Sequence, residues 1–194
     1  MRKIALNMNM TLDGFFNLDW MEHMPLPPDQ ELLADTLAQI STTNTSAGSI
    51  AGYSFYRGMV PFWSAMETNP QVSETERAIA RAVNVNRRIV ISKTEAKLEG
   101  ENAELLVARN DQELLAAIQD LKQQEGPDMA VIGGIRTARA FVRLGLIDVF
   151  TFQVYPVAIG KGERIFTSRV DLELIGMKTY PSGVMRVSYR PRAK

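Results

Sequence analysis

The sequence predicts an α/β fold in three layers: a mostly parallel central sheet, flanked by helices, with antiparallel strands at the C-terminal end. Three observations predict it. Over the first three quarters of the chain, short apolar or β-branched runs alternate with segments of helical periodicity, the signature of strand-helix-strand units. Beyond Asp148 the segments look extended and no helical pattern intervenes, so those strands are expected to pair antiparallel. Between the two regimes, Val131-Ile132-Gly133-Gly134-Ile135-Arg136-Thr137 ends an apolar run in two glycines and opens directly into a helix.

Composition sets the frame for these elements. With 194 residues, 45% hydrophobic and 23% charged, the chain has enough apolar material for a proper core and reads as a single domain over 1–194. Basic and acidic residues both number 22, so no basic face is implied and nucleic acid is a poor partner. Cysteine is absent and His23 is the one histidine, which excludes disulfides and thiolate nucleophiles and leaves no ordinary zinc site; no metal is expected. The N-terminus lacks a signal-peptide core, and no run approaches the ~20 apolar residues of a membrane span. A cytoplasmic protein without membrane contact is expected.

The first strand is expected over residues 3–8, running into a loop at Thr11-Leu12-Asp13-Gly14. That loop carries Phe15, Phe16, Trp20, Met21 and Met24, which suits either a lid over a pocket or packing on the core. Asp29-Gln30-Glu31 then opens a helix with Leu32, Leu33, Leu37 and Ile40 on one face. Residues 46–51 read as a strand, and a helix follows Gly52. Ser73-Glu74-Thr75-Glu76 is a capping box ahead of a helix ending near Asn84. Residues 88–92 and 104–108 read as strands. Asn110 caps a helix that buries Leu114, Leu115, Ile118 and Leu121 and stops at Gly126-Pro127. The strand over 129–132 leads into the glycine pair and a helix to Gly145. Segments 149–155, 164–166, 172–180 and 184–189 complete the extended end, with Tyr180-Pro181-Ser182-Gly183 as the last turn.

Paired glycines at a strand-to-helix junction leave main-chain N–H groups open at the positive end of the helix dipole, where anions bind. A tight turn without a ligand accounts for the same residues. In the helix that follows, Arg136 lies in the first turn, where it can meet a phosphate; with Arg139 and Arg143 it also makes an ordinary solvated face.

Six segments in order now carry a resemblance: Met10-Thr11-Leu12-Asp13-Gly14-Phe15, Asp19-Trp20, Gly52, Ile91-Ser92-Lys93-Thr94, Val131-Ile132-Gly133-Gly134, and Leu144-Gly145-Leu146-Ile147-Asp148 leading into Tyr155-Pro156-Val157. Together they resemble the dihydrofolate-reductase-like superfamily, and most closely the RibD C-terminal domain, the reductase domain of the bifunctional riboflavin-biosynthesis deaminase-reductase. The resemblance covers nearly the whole chain and implies a stand-alone reductase using NADPH. The cofactor is then expected across the C-terminal ends of the central strands. Gly133 and Gly134 match the glycine pair that meets it, with Ile135, Arg136 and Thr137 at the helix N-terminus. Ser92, Lys93 and Thr94 match the strand end that holds the adenosine phosphate, while a structural salt bridge explains Lys93 equally well.

At Gly52 the chain departs from the pattern. Relatives there tend to read Gly-Arg-Lys-Thr, whereas this chain has Gly52-Tyr53-Ser54-Phe55. Losing one charge-assisted phosphate contact corresponds to roughly 1.5–3 kcal/mol. Tyr53 has two readings, stacking on a planar ring or filling a core gap.

The implied reaction is hydride transfer from NADPH to a C=N or C=O bond of a pyrimidine, pterin or related small substrate. Asp13 is the candidate to hydrogen-bond substrate or steer a proton, and is equally a turn-forming aspartate before Gly14. Asp35, 17 residues before Gly52, lies near where dihydrofolate reductases place their pterin-binding carboxylate, and is equally a helix-face residue. Trp20 and Pro156 are expected on the substrate side. The rival expectation is a non-catalytic or altered-ligand binding protein with a weakened cofactor grip. The β-rich end from Asp148 presents edges that suit a homodimer.

Overall fold

The computed structural model describes residues 1–16, 29–44, 48–99 and 102–192. Its elements are β1 (Ile4–Thr11), α1 (Gln30–Asn44), β2 (Ser49–Gly52), α2 (Tyr53–Thr68), α3 (Glu74–Val85), β3 (Arg88–Ser92), β4 (Ala103–Val107), α4 (Asp111–Gln123), β5 (Met129–Gly133), α5 (Ile135–Arg143), β6 (Val149–Tyr155), β7 (Leu172–Thr179) and β8 (Met185–Pro191). The strands form one sheet in the order β4-β3-β2-β5-β1-β6-β8-β7. Pairing is parallel from β4 through β6 and antiparallel for β6 with β8 and β8 with β7.

Alternation along the strands sends neighbouring residues into opposite layers. Ile50, Ile89, Val131 and Phe150 join the main core, with Ile118 of α4 and Phe141 of α5. Their neighbours Ala51 and Val90 pack on the other face with Tyr56 and Met59 of α2. Tyr155, next to the main-core residue Val154, meets Leu32 of α1. Helices α4 and α5 therefore cover one face, and α1 and α2 the other. The expected three-layer arrangement is the one observed.

The capping box is present: the Ser73 hydroxyl accepts from the Glu76 N–H while the Ser73 N–H donates to the Glu76 carboxylate. Asn110 likewise caps α4 through its side-chain oxygen. The turn after β7 closes where expected, with the Gly183 N–H donating to the Tyr180 carbonyl at 2.9 Å.

Three expectations are corrected. The 149–155 strand, expected to pair only antiparallel, lies parallel to β1 on one side and antiparallel to β8 on the other, because α5 carries the chain back so that β6 runs alongside β1. The 164–166 segment is not a strand. Its Ile165 is 1% exposed, and the Arg164 carbonyl accepts from Arg139 Nε rather than from a neighbouring strand. An apolar run can be buried as an irregular covering segment as readily as in a ladder, and periodicity over three residues cannot separate the two. The first strand also runs on to Thr11, since β6 offers it partners as far as Tyr155.

Candidate functional site

The order of the sheet creates a crevice. Strands β2 and β5 are neighbours, yet the helices that follow them pack on opposite faces, so the two loops diverge at their carboxyl ends. Ligands of open α/β sheets bind at such a point. Here both helices begin at a glycine without a side-chain cap: Gly52 for α2 and Gly134 for α5. The two ends are in contact, because a Cβ on Gly134 would lie 3.4 Å from the Gly52 nitrogen. Gly134 adopts φ 85°, a left-handed conformation that favours glycine. A Cβ on Gly52 would run into the Thr137 hydroxyl, so Thr137 sits directly over the start of α2.

Gly133 is bare for a different reason. The ring of Phe55, in the first turn of α2, lies against it, and a Cβ there would be 2.6 Å from Phe55 Cδ1 and nearer still to Cε1 and Cζ. The close approach that the sequence reserves for a ligand is taken by a side chain of this chain. Tyr53 is half-buried in the same cluster, with the Arg57 guanidinium 6.0 Å from its ring centroid. The core-filling reading of Tyr53 is the one with contacts on the structure.

Gly52 pairs with Ile91, which brings Ser92 beside the crevice. Ser92 is buried and its hydroxyl accepts from the Thr94 N–H at 3.2 Å, while Lys93 and Thr94 are exposed. Ile135 is half-buried and Arg136 exposed at the start of α5. The crevice therefore brings together Gly52, Phe55, Gly133, Gly134 and Thr137, with Tyr53 next to Gly52 and Ser92 on the adjacent strand end; Lys93 and Arg136 follow in sequence, and Arg57 lies one turn of α2 beyond Tyr53.

Asp13 stands apart, inside the turn that ends β1, which the Gly14 N–H closes on the Thr11 carbonyl at 2.9 Å. One of its oxygens accepts from the Thr11 hydroxyl at 2.6 Å, the other from the Ile159 and Gly160 N–H groups at 3.0 and 2.8 Å. The Thr11 hydroxyl, followed by these amides, holds its pKa below the ordinary carboxylate value. Both oxygens are engaged in tying the β1 turn to the chain after β6.

Asp35 belongs to another cluster. It lies 2.5 Å from Lys178 Nζ, accepts from the Tyr180 hydroxyl at 2.9 Å and is 3.7 Å from Arg186 Nη1. Lys178 also meets Glu31 at 2.9 Å. Hydrogen bonds from Lys178 and then Tyr180 lower the Asp35 pKa; burial, followed by the bond to Asp35, pushes Tyr180 up to about 12. Arg186 lies on β8, three strands from β5, so this cluster is about 14 Å across the sheet from the glycine pair. Pro156 is exposed after β6, against Gly183. Trp20 and His23 lie outside the described residues.

The Phe55 contact is a feature the sequence reading missed; its signal is a large ring three residues after Gly52, within reach of the neighbouring strand. Among the described residues no cluster of His, Asp or Glu could hold a metal ion, and no helix is long and apolar enough to cross a membrane.

This crevice, in this strand order, coincides with a family match. A model of the RibD C-terminal domain matches residues 2–185. The chain belongs to the RibD C-terminal domain family. The chain is 26% identical over 196 residues to the uncharacterized protein YyaP of Bacillus subtilis (strain 168), covering 97% of this chain and 94% of that protein. Among solved structures, a putative riboflavin biosynthesis protein from Shewanella sp. PV-4 superposes with a TM-score of 0.65 at 16% identity, covering 98% of this chain and 99% of that one. Dihydrofolate reductase from Enterococcus faecalis, complexed with NADP(H), superposes with a TM-score of 0.59 at 13% identity over 98% and 97% of the two chains. The RibD C-terminal domain shares the dihydrofolate-reductase-like fold.

Proposed function

We propose that this protein is an NADPH-dependent reductase of the RibD C-terminal type, transferring a hydride to a C=N or C=O bond of a pyrimidine, pterin or related small substrate. One observation carries the reading: two uncapped, glycine-led helix N-termini meet at the topological switch point of a sheet whose family is established. Converging N–H groups and the positive ends of two helix dipoles fit a diphosphate. The residues fit the phosphate portion of a dinucleotide on that ground. NADPH would supply the hydride. Gly52, Gly134, Ile135 and Thr137 would hold its diphosphate, and Ser92, Lys93 and Thr94 its adenosine phosphate. Asp13 fixes the β1 turn in this reading; with both oxygens accepting hydrogen bonds, it orients rather than protonates.

A second reading, an altered-ligand binding protein on the same scaffold, is favoured by the Phe55 ring over Gly133 and by Tyr53 where the family resemblance leads one to expect arginine. Titration with NADPH, followed by cofactor fluorescence, separates the two. Saturation below millimolar cofactor, with NADH weaker, supports the reductase. No saturation at millimolar concentration leaves the binding-protein reading.

The same reading holds the chain to be a single domain over 1–194, cytoplasmic and dimeric. For the dimer, the supporting feature is β7, an edge strand that exposes Leu174, Ile175 and Met177.

A further inference from the structure

A second polar site lies at the other end of β3. Ser92, beside the crevice, is the last residue of that strand and Arg88 the first, about 13 Å away along the strand. Arg88 is 4% exposed, and among the described residues no carboxylate forms an ion pair with it. Its Nη1 donates to Asn102 Oδ1 at 3.4 Å and its Nη2 to the Val83 carbonyl, while Nε is buried without a partner. Burial pushes its pKa down, yet a guanidinium stays protonated in proteins, so a positive charge without an ion-pair partner sits in the interior. An isolated buried charge is strongly unfavourable unless an opposite charge meets it.

Arg88 is among the residues that line an open cavity of about 320 Å³, large enough for a small organic molecule. The other walls are built. Asn84 Nδ2 donates to Glu67 Oε2 at 2.7 Å and to the Trp63 carbonyl at 3.2 Å. Asn102 Nδ2 donates to the Asn84 and Asn86 carbonyls at 2.6 and 2.9 Å. Glu67 and Glu99 also line the space. One basic residue against two acidic ones gives the lining an excess negative charge, which disfavours a dianion. A molecule carrying both signs complements it.

We propose that this cavity binds a small zwitterion, a carboxylate bearing an amine, with its anionic end on Arg88 and its cationic end toward Glu67 and Glu99. The site shares no residue with the crevice at Gly52 and Gly134 and does not depend on the reductase reading.

The test is calorimetric titration of the full chain with each L-amino acid, acetate and inorganic phosphate, alongside NMR of the arginine Nε–H signals. At least one amino acid is expected to saturate and to move the Arg88 Nε–H signal, with acetate weaker and phosphate inert. Arg88→Met is expected to weaken amino-acid binding ten- to a hundred-fold, the usual effect of losing a charged hydrogen bond. Glu67→Gln keeps an acceptor for Asn84 and decides the matter if Arg88→Met does not fold: amino-acid binding falls and acetate binding does not. The proposal is overturned if no amino acid saturates at millimolar concentration, if phosphate binds in preference, or if Glu67→Gln leaves amino-acid binding unchanged.

Discussion

Replacing Gly133 by alanine places a methyl carbon inside the volume of the Phe55 ring, 2.6 Å from Cδ1 and closer to two further ring carbons. No real Cβ tolerates that distance, so the ring must leave its cluster with Ala51, Tyr56, Met59 and Val90. Overpacking of this kind destabilises by about 1–3 kcal/mol. The backbone at Gly133 is not in the left-handed region, so alanine there also restricts the unfolded chain and returns about 0.4–1 kcal/mol. The net expectation is a loss of about 0–2.6 kcal/mol. Phe55→Ala alone, removing a half-buried ring, is expected to cost about half the 3–5 kcal/mol of a fully buried one, or roughly 2 kcal/mol. With the ring gone the three closest contacts of the methyl at Gly133 are removed, so Gly133→Ala is expected to become neutral or mildly stabilising in that background. The coupling is then about 1–3 kcal/mol, well outside the few tenths expected of independent sites. Urea unfolding of the four proteins measures it through the midpoint at constant slope. Additivity within about 0.5 kcal/mol would refute the contact and return Gly133 to the ligand.

Tyr53→Arg puts a cation at the start of α2, beside the crevice, and under the reductase reading is expected to tighten NADPH ten- to a hundred-fold, read by cofactor fluorescence. Asp13→Asn tests the clasp between β1 and the chain after β6. Because the folded pKa of Asp13 is depressed, its contribution is fully present above the ordinary carboxylate value and is lost as pH falls through the lower folded value. The variant is therefore expected to melt lower at neutral pH and to show a flatter acid limb below about pH 4 in thermal scans. Ser73→Ala removes a complete capping box and is expected to cost about 1 kcal/mol, a midpoint shift of about 2–4 °C.

What was legible in the sequence follows the range of the forces involved. Capping at Ser73 and Asn110 and the turn at Gly183 depend on residues within four positions, and each forms where the local pattern places it. Strand identity at 88–92 and 149–155 follows from β-branched and aromatic runs. Partner and direction do not, because they are fixed by helices elsewhere: β6 reads as part of an antiparallel end and lies parallel to β1. The glycine pair was legible as a junction, but not its occupant. Gly133 and Phe55 are 78 positions apart in sequence, and only the adjacency of β2 and β5 brings them together.

Asp35 shows the same limit more sharply. Helical spacing places it on α1 and says nothing of what that face meets. The structure gives it Lys178, Tyr180 and Arg186, the first of them 143 residues away, so a carboxylate considered for its free charge is already hydrogen-bonded and ion-paired. The network also holds Glu31, and its two carboxylates balance its two cations. A substrate cation at Asp35 would have to displace Lys178, whose own pKa is raised by hydrogen bonds to Asp35 and Glu31. The unmet group in this cluster is instead a donor, the buried Nε of Arg186. A position selected from sequence as an acceptor thus stands in a network whose remaining hydrogen-bonding capacity has the opposite sense, and that inversion arises from the β7–β8 hairpin folding against α1.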